Sequence, residues 1–233
     1  MGVFLSLMVR RKEKMKILLH LPHVSLDVPD YFYEGLIISK PLFRKYNLEM
    51  TDFGVDYLLK DLPGTKIKPP YSRLFCDVER FRDDKKEKMS QYGEGLLYTK
   101  MYDGILFHKH DEIYRKKVLT YYDTYHQKLD KITKGLLSFD DELLILDCHS
   151  FSDKMASYFF KPPFPDICIG IEKDFFDEEI LHRIIEAIKK RGYTYQINYP
   201  YQGSLVPNCI YNKKVIYKKV VSIMLEINKR IYL

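Results

Sequence analysis

The chain carries Asp147-Cys148-His149-Ser150 directly after the apolar run Leu143-Leu144-Ile145-Leu146, so a polar cluster stands at the exit of a buried strand. Open α/β sheets gather their chemistry at that end of a strand. Two further polar groups have comparable settings. His23 follows the apolar run Lys16–Leu21, and Glu226 lies inside Ser222-Ile-Met-Leu-Glu-Ile227. An unpaired carboxylate in so apolar a strand is costly, so Glu226 needs a hydrogen bond, an ion pair with Arg230 or a lysine, or a nearby cation. A single histidine at a strand end commonly serves as a hydrogen-bonded structural group. Two at separate strand ends, with a buried acid, point towards a metal site, and zinc suits such ligands. Zinc with one open position lowers the pKa of bound water, and a neighbouring carboxylate then moves the proton.

The elements that must position these groups read as follows. Lys16–Leu21, Leu74–Val78, Glu142–Cys148, Asp166–Ile171, Tyr193–Ile197 and Val220–Ile227 have strand character. Residues 41–61 look helical over much of their length, residues 111–137 carry a helical apolar period, and Asp177–Lys190 is amphipathic before the helix-stopping Gly192. Strands alternating with helices predict an α/β fold in which a mixed, mostly parallel sheet is covered by helices on both faces. The charged run 82–88 and the glycine-bearing stretch 89–108 read as long loops, which in compact domains often bind or close over ligands.

At 233 residues the chain suits one substantial domain, expected over 15–233, with 1–14 as a flexible extension. Residues 3–9 are apolar but too few to span a bilayer, and the Met1-Gly2…Ser6 match to a myristoylation pattern is a short one. The excess of 38 basic over 32 acidic residues is not arranged as a stripe interleaved with aromatics, so neither nucleic acid nor membrane is an expected partner. Cys76, Cys148, Cys168 and Cys209 show no CxxC spacing and read as buried reduced thiols, which favours the cytoplasm.

Six segments in order then resemble the N-formylglutamate amidohydrolases, a family similar in fold to zinc carboxypeptidases and aspartoacylase-like deacylases. They are Leu21-Pro22-His23 with Pro29; Thr51-Asp52-Phe53-Gly54-Val55-Asp56; Ser72-Arg73 with Asp77-Val78-Glu79-Arg80; Tyr125-His126; Asp147-Cys148-His149-Ser150; and Leu225-Glu226-Ile227 with Arg230 and Tyr232. The resemblance implies one zinc ion held by His23 and His149, Glu226 as the general base that activates water, and Arg73 as the group that stabilises the oxyanion. It also implies Arg80 and His126 on the substrate, a small N-acyl amino acid.

Carboxypeptidase-like sites place an acid three residues after the first histidine, where this chain has Leu26. Asp52 is therefore taken as the third ligand, with Glu79 next and Asp27 behind it. Glu79 also stands where the family usually has Asn. A metallopeptidase or cell-wall amidase on the same site, and an inactive binding module, remain as alternatives. Ser150 is a weaker candidate nucleophile, because no spare histidine with a supporting acid is evident to activate it.

Overall fold

The computed structural model describes residues 15–138, 142–211 and 220–233. The expected extension 1–14 and its myristoylation pattern lie outside the described residues. Among the described residues six strands form one sheet: β1 (Met15–His20), β2 (Thr65–Ile67), β3 (Glu142–Phe151), β4 (Ile167–Ile171), β5 (Tyr195–Ile197) and β6 (Val220–Asn228). Their spatial order is β2-β1-β3-β6-β4-β5. All neighbouring pairs are parallel except β4–β6, so β4 and β5 run against the other four. The mixed, mostly parallel sheet with intervening helices is the α/β architecture expected from the alternating pattern.

β3 and β6 occupy the centre, and their near-continuous apolar sequences match burial on both faces. Among the helices, α1 spans Lys40–Met50, α2 Val55–Leu58, α3 Glu112–Leu136, α4 Asp153–Ala156, α5 Glu178–Lys190 and α6 Asn208–Tyr211. On α5 the Asp177 side chain accepts from Glu179 N and Ile180 N, which satisfies orphan amides of the first turn. Acids in its first turn and Lys189 and Lys190 in its last complement the helix dipole, while Ile184 and Ile188 supply its buried ridge.

The chain separates into two compact units. The first contains the sheet and is built from the described residues within 15–21, 54–67 and 129–233. The second comprises 22–53 and 68–128, so α3 passes from one to the other between Lys128 and Leu129. In the first unit Arg230, just beyond β6, reaches both Asp153 carboxylate oxygens at 2.8–2.9 Å and Asp166 at 2.9 Å. It thereby ties the end of β6 to the start of β4 instead of neutralising Glu226.

Two expectations about local structure are corrected. Leu74–Val78 is a series of turns, because the Ser72 carbonyl accepts from Phe75 N and Cys76 N and the Ser72 hydroxyl from Leu74 N. Its apolar residues are buried all the same, and a short apolar run does not distinguish a strand from a buried turn. The helical stretch 41–61 divides into α1 and α2, since Gly54 adopts φ 81° and Asp52 N is used by the His23 carbonyl at 2.8 Å.

Candidate active site

In the sheet unit, the register brings the chemistry into two adjacent rows. His20, the last residue of β1, stands level with Asp147 of β3, and two residues further on His149 stands level with Glu226 of β6. Glu226 is in turn level with Cys168 of β4. Residues paired across a sheet share a face, as do i and i+2 along a strand, so His20, Asp147, His149, Glu226 and Cys168 all project from one side. They do so at the carboxyl ends of β1, β3 and β6.

Asp147 Oδ1 accepts from His20 Nδ1 at 2.8 Å and from His149 Nε2 at 3.1 Å. Its other oxygen accepts from Leu205 N at 3.0 Å. Burial by itself would push this carboxyl up, but the two imidazoles outweigh that and hold it well below the usual carboxylate range. An ionised carboxylate behind a histidine fixes the ring's tautomer and direction, which is how metal-binding and catalytic imidazoles are commonly oriented. Glu226 is buried at 8% exposure, in the centre of the sheet. Burial first, then the Glu226 charge, pushes the Cys168 thiol beside it up to about 12, so this sulfur stays protonated and is a poor nucleophile.

The second unit has its own polar centre, which turns on Asp77. This carboxylate has no solvent exposure. Its Oδ1 accepts from His23 Nε2 at 2.9 Å and from Glu79 N at 3.1 Å, and its Oδ2 accepts from Arg73 at 2.8 Å and from Tyr98 Oη at 3.1 Å. Arg80 Nε lies 3.5 Å from the same Oδ2. Burial opposes ionisation of Asp77, yet His23, Arg73 and Arg80 overcome it and keep the group anionic.

His23 is flanked by two more acids, with Asp52 Oδ2 3.6 Å from Nδ1 and Glu79 Oε2 3.6 Å from Nε2. Burial and Arg73 would lower its pKa; Asp77 and Asp52 reverse this, and the net shift is upward. Buried imidazoles bordered by carboxylates in both units have the donor chemistry that a divalent ion of the zinc type requires.

The turn bearing this cluster is held from the helix α3. His126 Nε2 donates to the Val78 carbonyl at 2.8 Å, and Tyr122 Oη donates to the Arg80 carbonyl at 2.9 Å. His126 thus positions the strip from Asp77 to Arg80 through its backbone. Asp27 is exposed, and its carbonyl accepts from Ser72 N at 2.7 Å.

Within the second unit the structure therefore assembles His23, Asp52, Arg73, Glu79 and Arg80, and within the sheet unit it aligns His149 with Glu226. Sequence reasoning passed over Asp77, Tyr98 and the orienting role of Asp147. The last was accessible, because residues two apart on a strand share a face. The first two depend on a turn whose folding no periodicity announces.

The model of the N-formylglutamate amidohydrolase family matches residues 15–233. The chain belongs to the N-formylglutamate amidohydrolase family. Among solved structures it is similar to the N-formylglutamate amidohydrolase of Ralstonia eutropha JMP134, with a TM-score of 0.76 at 18% identity, covering 96% of this chain and 85% of that one. It is also similar to a gene product of Agrobacterium tumefaciens, with a TM-score of 0.65 at 16% identity, covering 94% and 81%. At these identities the likeness establishes the amidohydrolase fold. No protein of curated function matches the chain. Among the described residues no helix is long and apolar enough to cross a membrane.

Proposed function

We propose that this member of the amidohydrolase family is a cytoplasmic zinc-dependent hydrolase that cleaves the amide bond of a small N-acyl amino acid, of which N-formylglutamate is the family's reference. The observation that carries the reading is the register of His149 with Glu226, which puts an oriented imidazole and a buried carboxylate side by side at the carboxyl ends of the two central strands. In this reading the ligands would be His23, His149 and one carboxylate, a set of two imidazoles and an acid that suits zinc. Asp52, equally close to the His23 ring, is our choice for the third ligand, with Glu79 as its alternative.

When bound, zinc supplies an acidified water and polarises the acyl oxygen. Glu226 would accept a proton from the attacking water and pass it to the departing amine nitrogen. Asp147 keeps the His149 ring in one orientation throughout. Arg73, whose guanidinium is fixed by Asp77, offers donors to the oxygen that gains negative charge as the acyl carbon becomes tetrahedral. Arg80 and His126 serve the substrate side, His126 through the backbone turn it holds.

The reading is tested by assaying a panel of N-formyl and N-acetyl amino acids before and after chelation. Turnover should disappear with chelator and return on addition of zinc. Turnover that survives exhaustive chelation contradicts it.

A further inference from the structure

His20 closes the apolar strand β1 and has no solvent exposure. A polar ring in such a place is costly unless its nitrogens are used. Its Nδ1 donates to Asp147 Oδ1 at 2.8 Å, the same oxygen that accepts from His149 Nε2. The other oxygen, Oδ2, accepts from Leu205 N at 3.0 Å. Leu205 is itself tied down, because its carbonyl accepts from the Ser222 hydroxyl at 2.5 Å. Ser222 uses its one hydroxyl proton there, so Ser204 is the donor in the 2.7 Å contact between the two serines.

The two anchors come from the strands on either side of β3. On β1, His20 stands level with Asp147. On β6, the fully buried Ser222 stands level with Ile145, two residues before Asp147 and so on the same face of the sheet. The terminal torsion of an aspartate is soft, and a carboxylate with one donor turns freely about it. Donors from separate elements on both oxygens leave Asp147 one orientation, in which Oδ1 faces His149 Nε2. A neutral imidazole with its proton on Nε2 carries its lone pair on Nδ1, the form a metal ligand needs.

We propose that His20 is a positioning residue: with Ser222 it clamps the Asp147 carboxylate and so holds His149 in the Nε2–H tautomer, ready to bind metal through its other nitrogen. This rests on the hydrolase reading for the metal and deepens it, while the hydrogen-bond chain itself lies wholly within the sheet unit. His20 acts through Asp147, not on the substrate. Groups standing behind a ligating histidine contribute to metal affinity by orienting the ring, and their loss is felt in binding of the ion.

The decisive pair of variants is His20→Leu, which keeps bulk and removes the donor, and His20→Asn, whose amide nitrogen takes the place of Nδ1. The zinc dissociation constant, measured by competition with a chromophoric chelator, should rise about tenfold in His20→Leu and return close to the parental value in His20→Asn. A loss of packing alone is not repaired by asparagine, which is smaller and polar. Ser222→Ala releases the Leu205 carbonyl and should weaken zinc binding in the same direction; it takes the place of His20→Leu if that variant does not fold. Affinity unchanged by the donor-removing variant, or a loss in His20→Asn as large as in His20→Leu, overturns the proposal. If the parent binds no zinc, the metal-dependent reading fails, and the His149 tautomer in metal-free protein, read by long-range proton–nitrogen NMR, decides the clamp separately. A single Nε2–H form in the parent that becomes a mixture in the donor-removing variant supports it. A mixture already present in the parent, or one form in both, overturns it.

Discussion

Glu226→Gln is expected to lower kcat by about a hundred- to ten-thousand-fold while leaving the thermal midpoint close to that of the parent, the range associated with loss of a positioned general base. The amide matches the carboxylate in shape but does not accept a proton from water at neutral pH. Glu226 is level with His149 on one side and Cys168 on the other, so the substituted side chain has no room to relocate. The Cys168 thiol, pushed up to about 12, offers no substitute base. Steady-state kinetics with zinc-loaded protein checks the expectation, and a variant retaining a third or more of parental turnover would remove Glu226 from the proposed mechanism.

Asp77→Ala should produce the largest loss of stability, roughly 3–5 kcal/mol, because breaking a buried ion pair leaves its partners uncompensated. Here the partners are Arg73, Arg80 and the His23 ring, and Tyr98 Oη and Glu79 N also lose their acceptor. The substitution deprives five groups of a single shared anion in a place with no solvent exposure. Denaturant titration measures the effect. A change under about 1 kcal/mol would mean that the cluster re-forms around another carboxylate, such as Glu79.

Much of the sheet was readable from the chain because its central strands are buried on both faces. Lys16–Leu21, Glu142–Cys148 and Val220–Ile227 are apolar runs of the kind a covered strand accommodates, and β1, β3 and β6 lie over them within a few residues. The polar residues interrupting those runs, His149 and Glu226, were visible for the same reason. The three-residue β2 carries too few positions for a period, and nothing in Ile167–Ile171 betrays that β4 runs antiparallel to β6.

The arginine cluster was harder to read. It is organised by a turn at Ser72 and by Asp77, which in sequence reads as a polar residue within the strand candidate Leu74–Val78. Its meaning arises when hydrogen bonds from His23, Arg73 and Tyr98, separated by up to 75 positions, converge on one carboxylate.

The central claim is that His23 and His149, with a carboxylate, hold a metal that the reaction needs. It is tested most directly by metal analysis of protein purified without added zinc, for the parent and for His23→Ala and His149→Ala. The account predicts about one zinc per chain in the parent and a large loss in each variant. A metal-free parent that hydrolyses N-acyl amino acids, or zinc content unchanged by both substitutions, would contradict it.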